Sequence, residues 1–197
     1  FATSGPITAT PVYHKGRLYV ASTDGSLYYL HGITGQLLRP PVYHGTSTEG
    51  SLVLVPAVPA GVPSTDMLIV TLGSPAYELR SYDAKDGTLL WSSGVGFRQS
   101  SWSGATYHEE YKRLVVGDNS GYWHCYDIAT GTWRWTYRAG TIAGRNSPAC
   151  AGDFVVIPGG GGSDRHIHVL KQLANPPYFE VHQVMLGVPP MYTTEGA

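Results

Sequence analysis

The side chains best suited to chemistry sit in short polar stretches between apolar ones. One stretch is "GGGGSDRHIH" at 159–168. Alternate residues of an extended strand share a face, so His166 and His168 would point the same way, with Asp164 two residues before them. Zinc can take such ligands, but the polar face of an exposed strand explains them equally well. A second stretch, "GDNSG" at 117–121, offers oxygens from Asp118 and Asn119. "GFRQSSW" (96–102) and "TIAGRNS" (141–147) add Arg98, Gln99, Trp102, Arg145 and Asn146. An aromatic ring, two cations and amide or carboxylate oxygens suit a small polar or anionic ligand. Asp-Gly and Asn-Ser-Gly are also what tight turns contain, so turn chemistry stands beside the ligand reading. "GGGGS" lacks the Lys-Ser/Thr ending and following helix of a phosphate loop, and no nucleophile elbow is present.

The elements that would position these residues come from a repeat. "YDAKDGTLLW" (82–91) and "YDIATGTWRW" (126–135) place Tyr, Asp, Gly and Trp at the same offsets. A degraded copy, "LHGITGQLLR" (30–39), has His31 for the Asp and Arg39 for the Trp. Each copy follows an apolar run, a turn and an alternating run, which read as strand, turn and strand. A further short strand lies upstream, as in "TATPVY" (8–13), "WSGATY" (102–107) and "NSPAC" (146–150). The unit is therefore four short strands. No amphipathic segment of helical period has useful length, so essentially no helix is expected. Low charge (14 %) with 25 Gly and 14 Pro fits short strands and tight turns.

This reading makes the repeated residues structural. Asp83 and Asp127 open turns by accepting backbone N–H bonds two or three residues on. Gly87 and Gly131 supply positive φ, and Trp91 and Trp135 pack between neighbouring sheets. The expected fold class is all-β, a β-propeller of four-stranded antiparallel blades. About four blades are present, at 5–40, 45–95, 98–138 and 142–186, with 187–197 starting a further strand. That is a partial or oligomer-completed ring. An open half-ring bares two blade faces, so further blades, from the same or partner chains, are the expected partners.

Thirteen Lys and Arg against 14 Asp and Glu leave a net charge of −1, which gives no case for nucleic acid as a partner. No apolar run reaches the ~18–20 residues of a transmembrane segment. No signal peptide is visible. The chain opens on Phe1 rather than Met, so a processed product or a fragment is expected. Cys125 and Cys150 read as two buried thiols or one bridge. A secreted or periplasmic location is slightly favoured.

The pattern Asp-x-x-Thr-Gly-x-x-x-Trp, carried by Asp127, Thr130, Gly131 and Trp135, resembles the tryptophan-docking repeat of the PQQ-like, or quinoprotein alcohol dehydrogenase-like, propellers. Asp83, Gly87 and Trp91 match too, with Asp86 in the Thr place. The resemblance implies complete rings of seven or eight blades. It implies three functions: a non-catalytic binding or assembly scaffold, part of a PQQ- and calcium-dependent dehydrogenase, or a structural subunit polymerising through exposed blades. An enzyme of that kind would need a calcium-holding Glu/Asn/Asp set, a Trp under the quinone and often a vicinal Cys pair. The chain has no adjacent cysteines. Trp102 could be the floor, with Asp118 and Asn119 offering oxygens, but the full set is not matched.

Overall fold

The computed structural model describes the chain except residues 49, 60, 95, 99–100, 103, 142–145, 160–165 and 187–197, and the side chains of 183–186. Among the described residues, sixteen strands form four antiparallel four-stranded sheets, each a simple meander. The first holds β1 (Val12–His14), β2 (Arg17–Ala21), β3 (Ser26–His31) and β4 (Val42–Tyr43). The second holds β5 (Val53–Val55), β6 (Met67–Thr71), β7 (Leu79–Asp83) and β8 (Leu89–Ser92). The third holds β9 (Thr106–His108), β10 (Arg113–Gly117), β11 (Tyr122–Asp127) and β12 (Trp133–Arg138). The fourth holds β13 (Ala149–Ala151), β14 (Phe154–Pro158), β15 (His166–Gln172) and β16 (Phe179–Leu186). The described residues contain no helix.

The second strands are the most apolar because a neighbour covers each of their faces. Every residue of β6 (MLIVT) and β10 (RLVVG) is buried. Side-chain alternation divides them between two layers. Leu68 and Val70 pack with Tyr19, Ala21, Leu27 and Tyr29 of the first blade. Met67 and Ile69 pack with Leu114, Val116 and Tyr126 of the third. Val115, Trp123 and Cys125 face Val155, Ile157 and Leu170 of the fourth. The core is thus a series of layers between blades.

The repeated phrase closes each junction. Asp127 accepts the N–H groups of Ala129 (3.0 Å) and Thr130 (3.2 Å), and Asp83 accepts those of Lys85 (2.7 Å) and Asp86 (3.2 Å). Trp91 is the one buried residue of β8. It lies on Gly131, whose φ is +69° and where a Cβ would come 2.4 Å from the indole. Trp135, at the same register, reaches the fourth blade, with its Nε1–H donating to Gln172 Oε1 at 3.3 Å and its ring 4.9 Å from Phe179.

The first blade departs from the expected boundary at residue 40. Its outer strand is Val42–Tyr43, and Leu37 makes only an isolated bridge to Leu30. Arg39 stands in the Trp place, and Pro40 and Pro41 lack the N–H that would continue the ladder. The opening strands β1, β9 and β13 each end one residue beyond the stretches read from sequence. Both cysteines are unbridged thiols; burial pushes Cys125 up strongly and Cys150 up to about 12.

Candidate functional site

The β2–β3 type loops and the loops leading to the next blade meet at one end of the sheets, as meander connectivity requires. Asp118 is the clearest instance. It is fully buried, and Oδ1 accepts Ser120 N–H (2.9 Å), Ser120 Oγ–H (2.7 Å) and Tyr122 N–H (3.1 Å). Oδ2 takes Arg98 N–H at 3.1 Å and lies 3.1 Å from His124 Nε2. Burial alone would raise the carboxyl, but the bonds from His124, Ser120, Arg98 and Tyr122 outweigh it and hold it at about 2. A carboxylate has roughly four lone-pair sites, so these contacts consume it. Asp118 ties the incoming 96–98 loop to the third blade.

The other sequence-predicted residues fall around it unevenly. Arg98 is exposed, its guanidinium 4.4 Å from the Tyr122 ring centroid, with Arg138 at 5.5 Å from the same ring. Trp102 is 45 % exposed and Asn146 is exposed. Asn119 is half-buried, with a buried Oδ1 that meets no donor. Gln99, Arg145 and Asp164 lie outside the described residues. His166 and His168 share a face of β15, ring centroids 6.0 Å apart, but His168 is buried with Nδ1 2.9 Å from Tyr137 Oη. Among the described residues no group of three or more His, Cys, Asp or Glu can hold a metal. Among the described residues, the carboxylate expected to offer oxygens to calcium, Asp118, is saturated by the chain itself.

Sequence reasoning overlooked the opposite end. Clefts open there between the β1–β2 type turns of one blade and the β3–β4 type turns of the next. Between the first two blades, clefts of about 370 and 300 Å³ share Lys15, Arg17 and Lys85. In the first, Arg39, Tyr29 and His31 join them. Asp66 borders the second, bonded to Lys15 Nζ at 2.8 Å and 3.0 Å from His14 Nε2. Burial would raise Asp66, but Ala57 N–H, Lys15 and His14 outweigh that and hold it at about 2. Between the last two blades, Arg113 reaches across to Gln172 Oε1 (2.8 Å), Leu173 O (2.7 Å), Ala174 O (3.3 Å) and Tyr178 O (3.2 Å). The signal was available in part: Arg39 replaces a repeated Trp, and Arg17 and Arg113 open equivalent strands.

Four radially stacked meanders, locked at their junctions by Trp91, Trp135 and, at the first, Arg39, define a β-propeller of four-stranded blades. The fold and the repeat are similar to those of the PQQ-like β-propellers. A family model described as outer membrane protein assembly factor BamB matches residues 75–172. The crystal structure of BamB from Moraxella catarrhalis superposes with a TM-score of 0.66 at 18 % identity, over 95 % of this chain and 51 % of that one. The designed Ika4 protein superposes at 0.67 and 18 % identity, over 86 % of this chain and 93 % of its own. At that identity both show the fold alone. Tetrathionate hydrolase of Acidithiobacillus ferrooxidans is 30 % identical over 113 residues, 57 % of this chain. The chain spans 23 % of that relative's length. No helix among the described residues is long and apolar enough to cross a membrane.

Proposed function

We propose that the chain is a non-catalytic binding and assembly scaffold, whose ring is completed by further propeller blades. One contrast carries this reading. Trp123 of β11 is fully buried by the fourth blade, whereas Ile167, at the same register of β15, is 39 % exposed. Phe154, Val156 and Val169 beside it are only half-buried. A blade face of this kind requires another blade. The chain's 51 % coverage of the BamB structure fits the same count. Light scattering on the intact protein tests it. A mass at least twice the 21.2 kDa of this chain is expected, from added sequence or added copies. A stable 21.2 kDa monomer overturns it.

The identity to tetrathionate hydrolase favours a second reading, a segment of an enzyme acting on that class of sulfur compound. Loss of tetrathionate on incubation with the intact protein tests it; unchanged tetrathionate removes it. The donor set supports a PQQ- and calcium-dependent dehydrogenase least, and dye reduction after adding both is its test. The match to an outer membrane assembly factor supports a secreted or periplasmic location, which cell fractionation tests.

A further inference from the structure

Arg39 occupies the place that Trp91 and Trp135 hold in the next two blades. Like Trp91 on Gly131, it lies on a glycine of the following turn: a Cβ at Gly87 would come 2.6 Å from Arg39 Nη1. The resemblance ends at the polar atoms. Trp91 has one donor, which meets Ile128 O at 2.8 Å. The equivalent acceptor, Ala84 O, is already taken by Tyr19 Oη–H (2.9 Å) and Arg17 Nη1–H (3.3 Å). Arg39 Nε is buried without a partner, and no acceptor among the described residues meets the rest of the guanidinium. Its one contact of note is the Tyr29 ring, 5.3 Å away.

A buried donor left without an acceptor destabilises the fold. Arg39 also lines a cleft of about 370 Å³ together with Lys15, Arg17 and Lys85. Arg17 Nη1 spends its hydrogen bonds on the Ala84 and Lys85 carbonyls, which leaves its charge uncompensated. Lys15 is paired with Asp66. The exposed Asp86 lies near enough to feel Arg39's charge but makes no ion pair with it. Four cations therefore converge on a space holding fewer carboxylates, and the guanidinium presents a planar fork of donors.

We propose that this cleft binds a tetrahedral oxyanion group of the phosphate or sulfate kind, with Arg39 as its principal contact and Lys85 and Arg17 completing the charge. The fork donates to two anion oxygens at once, which the indole at this register in the other blades cannot do. The anion supplies acceptors to the part of the guanidinium that lines the cleft, while Nε stays buried. The group is either free or carried on a small molecule.

Titration calorimetry at constant ionic strength tests this on the intact protein, with inorganic phosphate and phenyl phosphate as probes and chloride as the balancing ion. Saturable binding of inorganic phosphate is expected for a free anion; saturable binding of phenyl phosphate alone assigns the site to a carried one. Arg39→Trp restores the residue of the neighbouring blades, so it should fold, as near-ultraviolet circular dichroism will show. It should weaken binding about tenfold or more. Lys85→Ala removes an exposed cation without touching the packing and should weaken it severalfold. The proposal is overturned if neither probe saturates, or if both variants bind as the parent does.

Discussion

Trp91 and Ile128 are joined across a blade boundary: the indole Nε1–H donates to the Ile128 carbonyl at 2.8 Å, and the side chain is buried. One residue thus supplies both the apolar packing and the polar register of that junction. Replacing it separates the two. Trp91→Phe keeps a ring and loses the bond, at a cost of about 1–2 kcal/mol. Trp91→Ala loses both and should cost about 3–5 kcal/mol. Equilibrium denaturation measures both; a Trp91→Phe variant as stable as the parent would show that the bond contributes nothing, and equal losses in the two variants would show that the packing adds nothing.

Gly131 and Gly87 have the same φ, +69°, but different neighbours. A Cβ at Gly131 meets the rigid Trp91 ring at 2.4 Å. At Gly87 it meets the flexible end of Arg39 at 2.6 Å and Val42 Cγ2 at 2.7 Å. Both Ala variants carry the backbone strain, about 1 kcal/mol or more. Gly131→Ala should be the more destabilised, because an indole held on both sides cannot swing away. Melting temperatures of the pair give the order directly.

Acid should weaken the fold in two stages. Burial, helped by the Arg80 charge, lowers His44 from 6.5 to about 4. The unfolded chain therefore binds the proton first, so this stability is complete above about pH 6.5 and falls as pH drops towards 4. The loss is roughly 3 kcal/mol at most. Asp118 and Asp66, held at about 2 against 3.8, add stability that is present above about pH 4 and lost towards pH 2. His44→Gln should flatten the first stage and leave the second, as read by urea unfolding at pH 7, 5 and 3.

Arg113 stands in for the turn that the fourth blade lacks. That blade has no Asp-x-x-Thr-Gly, and its Leu173, Ala174 and Tyr178 carbonyls take Arg113 instead. Arg113→Lys offers one ammonium for a fork that reaches several acceptors, and should destabilise by about 2–4 kcal/mol. Hydrogen exchange should locate the added opening in residues 166–182 rather than in the first two blades. Uniform loss across the chain would count against this role.

Ile167→Asp tests the uncovered face of β15. The face should tolerate the charge when isolated, so the circular dichroism spectrum stays unchanged, while the assembled mass falls. An unaltered mass would show that other surfaces, or blades continuous with this chain, hold the assembly together.

Much of this architecture was legible in the chain because its signals are local. An Asp that caps a turn, a Gly at positive φ and a Trp four residues later act within ten residues, so 82–91 and 126–135 declare themselves by repetition. The alternation of Tyr19, Ala21, Leu27 and Tyr29 likewise follows from the pleat. Asp118 shows where local reading stops. Its Oδ1 accepts turn N–H groups as a turn residue's would, yet its Oδ2 is occupied by Arg98 N–H from the incoming loop, a contact twenty residues away that the turn's own pattern does not announce, and by the ring of His124 in the same hairpin. The cleft of Lys15, Arg17, Arg39 and Lys85 is a product of stacking. These residues lie up to seventy positions apart in sequence, and they converge because the β1–β2 turn of one blade and the β3–β4 turn of the next share an end. Patterning dictated the blades. How neighbouring blades dock dictated which polar atoms are satisfied and which are left facing solvent, since satisfaction depends on acceptors that no single blade contains.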